Sequence, residues 1–288
     1  MTKLKQILAI GTLVAFSQLS TAETRLPTAA IFDLGSLDTM TELGLENQVA
    51  GVPKQVIPEY LQQFNDARYA DIGGLKSPDL TTLNTVNPDL IIITGRQAGQ
   101  KDKLAAISAV KQVNISGDNY WHDLSDNVTS IATLFHVQDK AKNALADLKS
   151  NIESTKKRLN KDATVLVVTH NNGSLGLRED AISSQLLGLK TANIPAHVKS
   201  HTRGTRTFTP LTVSDIAETN PTALFIVDRS EAIGNTNEAL DINTLKADLA
   251  AQGAGSIKVT YLSPQLWYLS GNGLQSVRMQ VKEIAEGL

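Results

Sequence analysis

The segment QDKAKNALADLKSNIESTKKRLN, residues 138–160, contains neither Gly nor Pro. Apolar or small side chains recur at Ala141, Ala144, Leu145, Leu148, Ile152, Thr155 and Leu159. That spacing lays one stripe along an α-helix. Lys140, Lys142, Asp147, Lys149, Glu153, Lys156 and Lys157 decorate the remaining faces. Unbroken, the segment predicts a rod roughly 33 Å long at about 1.5 Å per residue.

On both sides of the rod, short apolar runs alternate with amphipathic stretches, the pattern of layered α/β structure. Before it, strands are expected at Ala29–Phe32, Gln48–Val52, Leu90–Thr94 and Val113–Ile115. Helices are expected at Ile57–Phe64, Asp79–Val86, Lys101–Ile107 and Leu124–Phe135. After it, the expected strands are Thr164–Thr169, Ala223–Val227 and Lys258–Tyr261. The helices there are Ala181–Leu187, Val213–Glu218, Asn243–Ala251 and Gly273–Glu286. The reading is an α/β protein of two Rossmann-like lobes joined by a single long backbone helix. The N-terminal lobe covers 23–137, the helix 138–160 and the C-terminal lobe 161–288.

Residues 1–22 read as a secretory signal. Lys3 and Lys5 are its positive region, Ile7 to Phe16 its apolar stretch, and Ser20-Thr21-Ala22 its cleavage site. The chain of 288 residues has no Cys, which excludes disulfides, thiolate metal sites and a lipid attachment point. The expected place of work is therefore the periplasm, with no lipid anchor. A net charge of −2 lacks the basic excess of a nucleic-acid binder.

Enzyme signatures are missing. Gly173-Ser174-Leu175-Gly176-Leu177 is not a Gly-x-Ser-x-Gly elbow, and Gly271-x-Gly273 has no third glycine. His122, His136 and His170 have no patterned acidic partners and read as surface or packing residues rather than a zinc or manganese site. The chain is read as a non-enzyme with no intrinsic cofactor.

The segment Asn87-Pro88-Asp89-Leu90-Ile91-Ile92-Ile93-Thr94-Gly95-Arg96-Gln97 resembles a stretch of the periplasmic ferric-siderophore-binding proteins that feed ABC importers. It is most similar to the catecholate branch of their helical-backbone class. Four further stretches carry the resemblance, in order along the chain. They are Gly51-Val52-Pro53-Lys54 with Pro58-Glu59-Tyr60-Leu61, Tyr69 to Lys76, Asn220-Pro221 through Asp228-Arg229, and Trp267-Tyr268-Leu269-Ser270-Gly271-Asn272-Gly273-Leu274-Gln275-Ser276. The resemblance implies capture of a ferric catecholate siderophore of the enterobactin or vibriobactin kind between the lobes. It also implies a monomer and delivery to an inner-membrane ABC permease. Cobalamin, haem or another iron chelate is the alternative ligand on the same architecture.

A ferric tris-catecholate is a compact trianion, and arginine suits it because its planar fork stays charged and donates paired hydrogen bonds. Arg96 and Arg229 each end a predicted strand, where ligands of open α/β sheets sit. The resemblance implies that Tyr268 faces the cleft and can give phenolate to iron, with His201 as its imidazole partner. His197 is the other candidate for that partner. The third cleft arginine is left open between Arg178, Arg203 and Arg206. Asn172-Gly173 predicts a tight hairpin turn. Asp79 and Glu179 are candidates for docking onto the permease.

Overall fold

The computed structural model describes residues 25–204 and 206–288, without the side chain of Arg206. The signal read at residues 1–22 lies outside the described residues. The chain folds as a mixed α/β protein built on two separate sheets. The first is parallel throughout, in the order Ala70–Asp71, Val49–Val52, Ala29–Ile31, Leu90–Ile93, Ala109–Gln112. Its inner strands are apolar at every position because helices cover both faces. Strand order reverses between Ala29–Ile31 and Leu90–Ile93, so a crevice opens beyond their carboxyl ends.

The second sheet centres on Thr164–Asn171, parallel to Ala223–Asp228, which is parallel in turn to Lys258–Tyr261. On the other side of Thr164–Asn171, the strand Ser174–Leu177 runs antiparallel and is followed at the edge by Pro210–Leu211. Asn172 and Gly173 make that reversal with φ of 47° and 75°, as their pairing predicts for a two-residue hairpin turn. Asp228 follows Val227 at the end of a completely buried strand.

Between the sheets the chain forms Gln138–Arg158, a helix of 21 residues with Ala141, Leu148, Ile152 and Thr155 buried. The C-terminal helix Leu274–Glu286 packs against both this helix and the first helix, Leu34–Glu42. One apolar core runs from Ile31 and Leu37 through Leu148 to Val167, Trp267 and Val281, so the two sheets share buried contacts. Gly35 and Gly273 meet backbone to backbone there, and a Cβ on either would strike the other segment.

Several expectations needed correction. The strand expected at Val113–Ile115 lies at Ala109–Gln112, where the ladder with Leu90–Ile93 sets the register. Ile57–Phe64 is not an α-helix but a 3-10 run, Glu59–Asn65, kinked at Leu61. Ala181–Leu187 is a single π turn, Ile182–Leu186. The first helix, Leu34–Glu42, has no counterpart in the sequence reading, and neither does the hairpin formed by His201–Arg203 and Arg206–Phe208.

Candidate functional site

Three guanidinium groups gather around the dipeptide Trp267-Tyr268. Arg96 Nη2 donates to the Tyr268 carbonyl at 2.8 Å. Arg178 Nη2 donates to the Trp267 carbonyl at 3.2 Å. Arg229 Nε donates to the Tyr268 hydroxyl at 2.7 Å, with its guanidinium carbon 5.6 Å from the ring centroid. Among the described residues none of the three forms an ion pair.

Arg96 follows strand Leu90–Ile93 at the strand-order reversal. Thr94 caps the next turn by accepting from the Arg96 N–H, and Gln97 accepts the Thr94 N–H in return. The buried Gln97 amide also donates to the Leu75 carbonyl, which fixes the turn on the sheet. Arg96 itself is exposed.

Arg229 is held differently. It opens a short helix capped by Asp228, whose carboxylate accepts the Glu231 N–H. Asp228 also accepts from the Leu240 N–H at 2.6 Å and from the Tyr261 hydroxyl at 2.8 Å. His170 Nδ1 lies 3.0 Å from Asp228 Oδ1, off the line of an ideal hydrogen bond. His170 Nε2 accepts the Gly173 N–H, so Nδ1 carries the proton toward Asp228. Burial works against the Asp228 carboxylate. The donors from Leu240, His170, Tyr261 and Glu231 outweigh it and hold the group below the ordinary carboxylate range. The Arg229 guanidinium then bonds Asn171 Oδ1 as well as Tyr268.

A cavity of about 580 Å³ lies in front of this cluster. Arg96, Arg178, Tyr268, Asp33, Asn114 and Asn127 are among the residues lining it. Arg229 stands behind Tyr268 rather than on the wall. Asp33 is the acid of the lining. Burial raises its carboxyl above the ordinary range, against the opposing pull of Ser36 and Arg96. Burial also lowers the Arg178 guanidinium, with Asp180 opposing.

Other sequence candidates fall elsewhere. His201 and Arg203 are exposed on the hairpin, where the His201 ring stacks on Phe208 at 5.5 Å. The structure brings neither into the cavity lining. The Arg206 side chain lies outside the described part. His197 Nε2 pairs with Asp215 Oδ1 at 2.7 Å, away from the cluster. Asp79 caps helix Leu80–Val86 by accepting the Thr81 and Thr82 N–H groups, and Glu179 lines a second cavity. His122 is exposed and lies 3.4 Å from Asp126. Asn171, Asp33 and the His170–Asp228 pair were not anticipated. Asp33 had a signal, an acid directly after a strand at the sheet's centre. Asn171 directly precedes the Asn172-Gly173 turn and carried no signal of its own.

The profile of the family described as "Periplasmic binding protein" matches residues 30–257. The petrobactin-binding protein YclQ of Bacillus subtilis is 34% identical over 267 residues, 90% of this chain and 81% of that protein. Its crystal structure superposes with a TM-score of 0.81, covering 91% of each chain. An iron uptake ABC transporter substrate-binding protein, PiuA of Streptococcus pneumoniae, superposes at 0.79 with 30% identity. That match covers 92% of this chain and 94% of its own. Among the described residues no helix is long and apolar enough to cross a membrane.

Proposed function

This chain belongs to the periplasmic binding protein family; we propose that it captures a ferric siderophore, preferring a catecholate, between its lobes and passes it to an ABC permease. The observation that carries this is the gathering of Arg96, Arg178 and Arg229 on Trp267-Tyr268 without carboxylate partners among the described residues. A ferric tris-catecholate is anionic and presents oxygen acceptors on its edges. Planar guanidinium donors from both lobes match it better than the apolar, aromatic walls expected around haem. The relatives named for petrobactin and for iron uptake support the siderophore class.

Arg96 would meet the ligand from the first lobe and Arg178 from the second, while Arg229 aims the Tyr268 hydroxyl. A guanidinium on that oxygen is the setting a metal-bound phenolate needs. Tyr268 would then enter the iron sphere only for a tetradentate siderophore, which leaves two positions open. His201 is the proposed imidazole for the second, its hairpin folding over the cleft, with Arg203 and Arg206 adding positive charge there. The lobes 23–137 and 161–288 would close little on binding, since they share a core. Asp79 and Glu179 are proposed to meet the permease.

The test is a titration followed by quenching of Trp121 and Trp267. Micromolar binding of ferric enterobactin or ferric vibriobactin supports the reading, whereas binding of cobalamin or haem in their place sinks it. Tyr268→Phe and His201→Ala separate the two candidate ligands. Each true ligand should shift the charge-transfer band of the tetradentate complex and leave that of the hexadentate one.

A further inference from the structure

Among the described residues Asp33 is the one acid lining the cavity in front of Tyr268, where the other charged lining residues are Arg96 and Arg178. Asp33 stands two residues past strand Ala29–Ile31, and Arg96 stands three past its parallel neighbour Leu90–Ile93. Opposite charges thus leave the carboxyl ends of adjacent strands, where the strand order reverses. They do not neutralise each other. Among the described residues neither Asp33 nor Arg96 forms an ion pair.

The Asp33 carboxylate uses its oxygens unequally. Oδ2 accepts the Ser36 N–H at 2.8 Å and the Ser36 hydroxyl at 2.6 Å, which caps the helix Leu34–Glu42. Oδ1 accepts no side-chain hydrogen bond among the described residues, and it is not among their sealed, unpaired atoms. On a half-buried side chain in the cavity wall, Oδ1 is open to what enters. The cap by itself does not require an acid, since asparagine and serine cap as well. Facing a trianion, a bare carboxylate oxygen opposes binding, and it favours binding only where it meets a donor or a cation. Burial already works against this anion, with Ser36 and Arg96 offsetting it in part, so a cation at Oδ1 relieves it.

We infer that Asp33 is a specificity-determining residue, selecting a ferric catecholate that carries a protonated amine beside its iron-chelating oxygens. The arginines take the oxygen edges of the chelate, and Oδ1 accepts from the ammonium N–H. A cavity with unpaired charge of both signs fits a ligand of both signs. A purely anionic chelate leaves the acid facing a like charge. The assignment rests on the siderophore reading and narrows it to amine-bearing chelates.

The test compares two probes of nearly equal shape on the full chain. One is the ferric tris complex of N-(2-aminoethyl)-2,3-dihydroxybenzamide, and the other is that of N-propyl-2,3-dihydroxybenzamide, each formed with excess chelator. The propyl complex is a trianion, whereas the ammonium arms bring the first to no net charge. Arginines alone prefer the trianion, so the two readings differ in sign. Wild type should bind the ammonium complex about tenfold more tightly, the scale of one charge-assisted hydrogen bond. Asp33→Asn and Asp33→Ser keep a cap for the helix and remove the charge. Each should bring the two probes to within about twofold or favour the propyl complex. Thermal melting identifies a variant that fails to fold, and the other variant, with the wild-type order of preference, then decides. A wild type that favours the propyl complex or neither overturns the inference and leaves the siderophore reading standing. An unchanged preference in a folded variant, or equal loss of both probes, also overturns it. If wild type binds neither probe, the siderophore reading falls first and the role of Asp33 with it.

Discussion

Arg229 and Arg96 reach the same tyrosine from opposite lobes, but only one is braced. Arg229 rises from a fully buried strand, on a helix capped by Asp228. His170, Tyr261 and the Leu240 N–H converge on that carboxylate. Arg96 sits exposed on a 3-10 turn and makes one bond to a backbone carbonyl. The difference teaches how a cleft divides its work. A preorganised cation gives up little rotamer freedom when ligand arrives, whereas a free arginine side chain loses up to about 2 kcal/mol of it. On the proposed function, Arg229 would supply fixed geometry and Arg96 a cation able to follow ligands of different shape.

Breaking the brace should destabilise the fold itself. His170→Ala leaves a cavity and strips a buried carboxylate of a donor. Urea unfolding should show a loss of about 2–3 kcal/mol. A loss under about 0.5 kcal/mol, the scale of an inert surface change, would mean that His170 does not brace Asp228.

Removing the arginines sharpens the comparison directly. Arg229→Ala should weaken ferric-catecholate binding by about 3 kcal/mol and Arg96→Ala by about 1.5 kcal/mol, the range for charged hydrogen bonds in a partly dry site. Lysine at 229 should recover only part, because the fork that bonds Tyr268 and Asn171 together is lost. Equal losses at the two positions would erase the distinction between the walls.

A further effect concerns the tie between the first and last helices. Buried Asp38 of the first helix accepts the Gln275 and Ser276 N–H groups at 2.7 and 2.6 Å, at the start of the C-terminal helix. Burial pushes its carboxyl up to about 6 from 3.8, against those hydrogen bonds. Between these values the folded chain holds more proton than the unfolded one. Stability therefore falls as pH rises from about 4 to 6, and the slope ends above that window. Urea midpoints at several pH values should show this component in wild type and not in Asp38→Asn. Parallel curves for the two proteins would place the titration elsewhere.

The inner strands were legible because they are apolar at every position, as at Leu90–Ile93 and Ala223–Val227. Arg96 and Arg229 were legible for a related reason: each is a lone cation at the end of such a run. Leu34–Glu42 escaped notice because its buried face includes Ser36, Asp38 and Thr39, which read as loop until their partners are known. The partners of Asp38, at Gln275 and Ser276, lie more than two hundred residues away. The edge strand Ala109–Gln112 was misplaced because an edge is only half-buried and its own pattern sets no register. His201 carries no local signal for its placement. Its position depends on the hairpin formed with Phe208, six residues of mostly polar side chains that stand off the core.

The meeting of the first and last helices also governs how the protein can be made. Asp38 finds its donors only when residues 275 and 276 exist, and Gly35 lies flat against Gly273. Chains generally fold from the N-terminus as they emerge, and contacts of high sequence separation slow that process. Here the helix Leu34–Glu42 completes its packing only when residues 273–276 are in place. A chain cut before the thirteen-residue helix Leu274–Glu286 would leave the buried face of the first helix without these partners.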